Sequence, residues 1–228
     1  MPNQTIKSIE RTVLCIPFHE RCHLVKTVRV NGWSMVDLYR VTSESGLEGI
    51  GENLALYGSP TSKEADFGRV VDKNIFDLLN DDTLGAGIQM ALFDLAGKLV
   101  DLPCHRLLGE QDRDACPVSW WAQDMHPEEW ANEAKTAESQ GFTSMKAKAR
   151  PWFDIDKQLE AVCNAVSPHF KFDVDFNGLL LGVDQAAPLI QKLESKYPNL
   201  AIVESPIPQS NVAGNALLRR KISTPISM

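Results

Sequence analysis

Two rhythms of hydrophobic and polar positions divide the chain. From Ile6 to Leu56 the segments IERTVLCIPF, MVDLYRVTSESG and GLEGIGENL carry short aliphatic runs broken by Gly, Asn and Ser, which predicts strands joined by turns. Between Ser62 and Val100 the rhythm becomes helical. In GIQMALFDLAGKLV the residues Ile88, Ala91, Leu92, Leu95 and Leu99 share one stripe, predicting an amphipathic helix over Ala86–Val100 with Lys98 on its wetter side. Strands first and helix after read as a small α+β domain over residues 1–115.

From about Cys116 strand and helix patterns alternate. CPVSWWA, FTSMKAK, KFDVD, LAIVE and TPISM read as strands. HPEEWANEAKTAESQG (closed by Gly141), DIDKQLEAVCNAV, DQAAPLIQKLESKY and SNVAGNALLRRKI read as the helices between them. Such alternation implies parallel strands with crossover helices. The period of roughly 25–30 residues is near that of an eight-unit βα barrel sharing about 250 residues. The expected fold is therefore α/β: an α+β capping domain over 1–115, then a partial (β/α) TIM-type barrel over 116–228, incomplete after about the fifth strand.

Composition narrows the function classes. The 228 residues are 43% hydrophobic and 23% charged, enough apolar content for a sizeable core. A net charge of −7 argues against a general nucleic-acid binder, yet a local basic cluster could still hold a small anion. No run has the length of a membrane span, and the N-terminus lacks a signal-peptide core. Cys15, Cys22, Cys104, Cys116 and Cys163 are scattered without a CxxC pair, as expected of a reduced, cytoplasmic chain. His19 and His23 stand four apart but lack helical context and further metal ligands. GLEGIGE reverses the order of the dinucleotide fingerprint and lies between strands, so its glycines are expected to serve turns and close packing.

Candidate chemistry collects at the strand ends, where parallel αβ barrels place their sites. The second barrel strand ends in Lys146-Ala147-Lys148, the third in Asp173-Val174-Asp175-Phe176-Asn177, the fourth in Val203-Glu204-Ser205-Pro206. Residues two apart on a strand share a face, so both lysines project to one side. Asp175 and Glu204, with no thiol or imidazole nearby, suit a hard cation such as Mg²⁺. Asp173 shares the face of Asp175 one layer deeper and is expected to be structural. A cation with a substrate carboxylate could stabilise an enediolate formed on α-proton loss, while a lysine removes the proton. A second ammonium and the cation would both disfavour the charged form of that base.

GIGE (Gly49–Glu52), ALFDLAGK (Ala91–Lys98), LLGE (Leu107–Glu110), KAK (Lys146–Lys148), DVDFNG (Asp173–Gly178) and VESPIPQ (Val203–Gln209) occur in order along the chain. In this set the chain resembles the enolase superfamily, in its mandelate racemase and muconate lactonizing enzyme-like branch. The pairing of a Lys base with Mg²⁺ is that superfamily's known chemistry. The resemblance implies Lys148 as base and Lys146 as electrostatic partner of the substrate carboxylate. It implies Asp175 and Glu204 as Mg²⁺ ligands and Asn177 near the metal. The capping domain would then select substrate through loops that include Trp33 and Tyr57. The reaction implied is Mg²⁺-dependent α-proton abstraction from a small carboxylate, as in an acid-sugar dehydratase or hydroxy-acid racemase, with no nucleic-acid or membrane partner. In the family a third acidic ligand follows the fifth strand and a further acid or base a later one, whereas this chain stops at STPISM. It therefore reads as a family member cut short, expected to turn over little by itself and to associate at most with another copy.

Overall fold

The computed structural model describes residues 4–20, 31–56 and 64–228. They form two compact units, Met1–Ala115 and Cys116–Met228.

In the first unit, β1 (Ile6–Cys15), β2 (Met35–Ser43) and β3 (Glu48–Leu54) make an antiparallel sheet in that order. Tyr39, Val41 and Ser43 alternate inward along β2 and are buried. One face is covered by α1 (Ala86–Val100), whose Ile88, Leu92 and Leu95 are fully buried while Lys98 stays exposed. The Lys98 ammonium donates to the Glu48 carbonyl (2.7 Å) and to Asp94 (2.8 Å), pinning the helix end to β3. The GIGE glycines are packing glycines. A Cβ at Gly49 would overlap the Ala91 carbonyl oxygen, and one at Gly51 the Gly87 carbonyl oxygen, so β3 can approach α1 only without side chains there.

The helical rhythm read over Ser62–Val100 is realised as α-helix only from Ala86. Upstream, 3₁₀ turns span Glu64–Arg69, Ile75–Asp77 and Asp82–Leu84. Asp72 is left-handed at φ 64°, and the Asn74 and Asp81 side chains accept from backbone N–H groups two residues on. Such local bonds compete with a continuous helix. A short helix, α2 (Cys104–Leu108), was not anticipated.

In the second unit, β4 (Trp120–Ala122), β5 (Ser144–Lys148), β6 (Lys171–Asp175), β7 (Leu200–Glu204) and β8 (Ile226–Ser227) are all parallel and neighbours in chain order. They are joined by α3 (Pro127–Ser139), α4 (Ile155–Ala165), α5 (Val183–Lys196) and α6 (Val212–Arg219). This is a partial (β/α) barrel of the kind expected. The first strand starts four residues later than CPVSWWA suggested. Pro117 has no N–H for a ladder and Val118 is 70% exposed, so that stretch meets β5 through the Ser119–Ser144 hydroxyl bond (2.6 Å) rather than by ladder pairing.

Met145, Ala147, Phe172, Val174 and Val203 are buried on one face of these strands, with Trp130, Leu159, Val162, Ile190 and Leu193 buried along the connecting helices. Polar anchors fix the strand starts. Glu138 accepts from the Ser167 N–H ahead of β6 (3.1 Å), and Glu194 from the Ser223 and Thr224 N–H groups ahead of β8 (2.9 and 2.8 Å). Between α4 and the end of α5, Asp156 accepts from Lys192, Lys196 and the Tyr197 hydroxyl. No helix among the described residues is long and apolar enough to cross a membrane.

Candidate active site

Register places the chemistry. Lys148 pairs with Asp175 across β5 and β6, and Asp175 with Glu204 across β6 and β7, so all three stand in one row at the C-terminal strand ends. Lys146 occupies the row beneath, opposite Asp173. Each belongs to the parity opposite the buried Ala147, Val174 and Val203, and hence to the other sheet face. The row continues on β8 with Ser227, which offers a hydroxyl and no carboxylate.

Asp175 is the hub, with its side chain fully buried. Its Oδ2 accepts from Lys148 and from Asn177 Nδ2 (3.0 Å), and lies 3.3 Å from Lys146 Nζ. Its Oδ1 accepts from the Asn177 backbone N–H (2.8 Å). Asn177 reaches the carboxylate twice because its backbone is left-handed (φ 46°), a region Asn tolerates better than most residues. Lys146 Nζ also lies 2.8 Å from both oxygens of Glu204, so one ammonium bridges both carboxylates.

Burial alone would push the Asp175 carboxyl up. The Lys148 hydrogen bond, the Asn177 N–H and the Lys148 charge outweigh it and hold the group below the usual range. For Lys146, burial pulls down, but the Glu204 hydrogen bond and the Asp175 and Glu204 charges raise it above an ordinary lysine. Asp173 is pushed up, first by burial and then by the nearby Glu204 charge, with Lys146 partly offsetting both. Each lysine sits on a carboxylate, and Lys146 keeps its proton more firmly than usual.

The donor set fits a hard cation in part. Asp175 and Glu204 already share one positive group, the Lys146 ammonium, and both present oxygen. Among the described residues no group of three or more His, Cys, Asp or Glu converges as a fuller ligand set.

Residues 129–228 match the family model described as Enolase C-terminal domain-like. The chain is 27% identical over 161 residues to the N-succinyl-L-Arg/Lys racemase of Bacillus cereus, covering 68% of this chain and 43% of that protein. It is 25% identical over 209 residues to the chloromuconate cycloisomerase of Cupriavidus pinatubonensis, covering 81% and 55%. The fold is also like that of a dipeptide epimerase from Enterococcus faecalis, solved with Mg and the dipeptide L-Leu-L-Tyr, with a TM-score of 0.74, 20% identity, and coverage of 97% and 67%. Residues 129–228 carry the likeness to the enolase superfamily. The chain spans about half the length of the curated relatives it matches.

Five of the residues singled out in the sequence (Lys146, Lys148, Asp175, Asn177 and Glu204) are thus joined by direct contacts or shared partners. Trp33 lies in the 3₁₀ turn Asn31–Ser34 that leads into β2 of the first unit. Tyr57 lies outside the described residues, as do Cys22 and His23. Sequence reasoning missed Arg150, whose Nη2 donates to Asn177 Oδ1 (2.7 Å). The only signal was its place two residues past Lys148.

Proposed function

We propose that the second unit carries the proton-abstracting half of a superfamily active site acting on a small carboxylate. The observation that carries this reading is the bridge of Lys146 between Asp175 and Glu204, with Lys148 on the same Asp175. A cation held by the two carboxylates would release both lysines toward a bound substrate. Lys148, freed from Asp175 and having lost its own proton to solvent, would take the α-proton as a neutral amine, and Lys146 would remain charged against the substrate carboxylate. Asn177 keeps the Asp175 carboxylate oriented throughout. Mg²⁺ at that position would supply the positive charge that offsets the second negative charge left when the proton departs. The first unit, with Trp33 and Tyr57 as its candidate residues, would select the substrate.

The superfamily supports α-proton chemistry more strongly than any one substrate. Candidate substrates are acid sugars and hydroxy acids, joined by N-succinyl amino acids and dipeptides, the compounds named for the relatives. A second reading is a non-catalytic chain that associates with another copy. It is favoured by Ser227, rather than an acid, in the strand-end row, and by Val212 and Leu217 exposed on α6.

The test is α-deuterium incorporation in D₂O with Mg²⁺, using the chain alone and joined after Met228 to the later strands of the Bacillus cereus racemase. The joined protein should exchange the α-proton of at least one substrate class, and Lys148→Ala should abolish exchange with the circular dichroism unchanged. Two carboxylates hold Mg²⁺ weakly, so the chain alone should exchange little. Equal exchange by the Lys148→Ala form would remove Lys148 as base.

A further inference from the structure

A second cluster lies on the other face of the same strand ends and does not depend on the proton chemistry. Ala149 continues β5, its N–H donating to the Asp175 carbonyl (2.9 Å), and so shares parity with Ala147 on the helix side. Phe176 shares that side with Val174 in the same way. Between them and the helices is a cavity of about 100 Å³, walled by Phe153, Ile155, Phe176, Leu180 and Leu189. Arg150 lines the same cavity.

The guanidinium is the unusual element. Its donors reach only neutral acceptors, the Ala149 carbonyl (2.8 Å) and Asn177 Oδ1 (2.7 Å). Among the described residues no carboxylate lies within ion-pair distance of it. An arginine beside an apolar pocket and without a counter-charge matches a ligand with one anionic end and one apolar end. The volume limits the apolar end. At about 30 Å³ per water it equals roughly three waters, room for a short branched chain and little more.

We propose that Arg150 and this pocket form a second binding site, on the helix side of the sheet, for a short-chain aliphatic monocarboxylate. The carboxylate takes the guanidinium fork and the alkyl group enters between Phe153, Phe176 and Leu189. Binding draws Arg150 from Asn177 Oδ1, and Asn177 is the residue that orients Asp175. Occupancy of the pocket is therefore felt at the strand-end cluster without the ligand entering it.

The experiment uses the full chain, ¹⁵N-labelled, titrated with isobutyrate and followed by amide and side-chain NMR. Saturable shifts are expected at Leu180, Leu189 and the Asn177 side-chain amide. Acetate, two carbons smaller, should bind about fifteenfold more weakly, at roughly fourfold per methylene. Arg150→Met should weaken isobutyrate binding about tenfold or more, the usual share of a charge-assisted pair. Isobutyramide, with the same shape and no charge, should show a similar loss on the unmutated protein, so the outcome does not depend on the variant folding. Equal binding of isobutyrate and isobutyramide, or of isobutyrate and acetate, would overturn the proposal. So would shifts centred on Lys146 and Lys148 with none at Leu180 and Leu189.

Discussion

Asp175→Asn removes the one fully buried carboxylate in the strand-end cluster while keeping its shape. Its Oδ2 lies 3.3 Å from Lys146 Nζ, and at an effective dielectric of about 20 such a pair interacts by roughly 5 kcal/mol before desolvation is counted. Lys148 and two Asn177 donors lose a charged acceptor as well. Relief of the desolvation penalty offsets part of the loss, and Glu204 still neutralises Lys146. Breaking a buried pair by removing one partner costs about 3–5 kcal/mol, and the lower end applies because Glu204 remains. That is a large share of a typical domain stability of about 5–15 kcal/mol. With a urea slope of about 1–3 kcal/mol/M, the midpoint should fall by roughly 1–3 M at neutral pH. Equilibrium urea unfolding of both proteins, followed by circular dichroism without divalent cations, measures it. A midpoint lowered by less than about 0.3 M would show that the carboxylate is not the hub described here.

The same cluster sets a pH dependence. Asp175 is held low, so its contribution is present above about pH 4 and lost as pH falls through its depressed value; acid titration of stability should flatten in Asp175→Asn. Lys146 is held high, so its contribution is present below about pH 10 and lost as pH rises through its raised value; Lys146→Met should flatten the alkaline limb. Tyr197→Phe removes donors to the Asp156 carbonyl (2.7 Å) and carboxylate, and should cost about 1–3 kcal/mol in urea unfolding. The Tyr197 phenol, pushed up to about 12 by burial and then by Asp156, should ionise late in an ultraviolet titration that Tyr197→Phe simplifies. Gly51→Ala should destabilise the first unit by about 3 kcal/mol or more, since its Cβ would overlap helix backbone; a loss under about 1 kcal/mol would contradict the close packing.

Much of this was legible because a side chain's face follows from strand parity alone. Lys146, Lys148, Asp175 and Glu204 needed only strand ends and a period of two to be placed together. The α1 stripe was legible for the same reason at helical period. What stayed hidden depends on contacts between distant residues. The bridge from Lys146 to Glu204, 58 residues away, is one such contact. Arg150 was not singled out, because its partner Asn177 is brought close only by β5–β6 pairing. The 3₁₀ turns before α1 were hidden because side-chain caps at Asn74 and Asp81 outweighed a helical-looking composition.

Everything proposed for the strand-end cluster depends on a cation competing with Lys146 and Lys148 for the same carboxylate oxygens. Lysine-selective ¹H–¹⁵N NMR of the chain resolves this directly during a Mg²⁺ titration. The Lys146 and Lys148 ammonium signals should shift and exchange faster with water as their acceptors are taken, with half-saturation in the millimolar range expected of a sparse ligand set. Lys98, on Asp94 in the first unit, should not move. Glu204→Gln should abolish the response at both strand-end lysines. If Mg²⁺ at tens of millimolar leaves Lys146 and Lys148 unchanged, or if Glu204→Gln responds like the unmutated chain, the two carboxylates are not a cation site and the proposed chemistry fails with them.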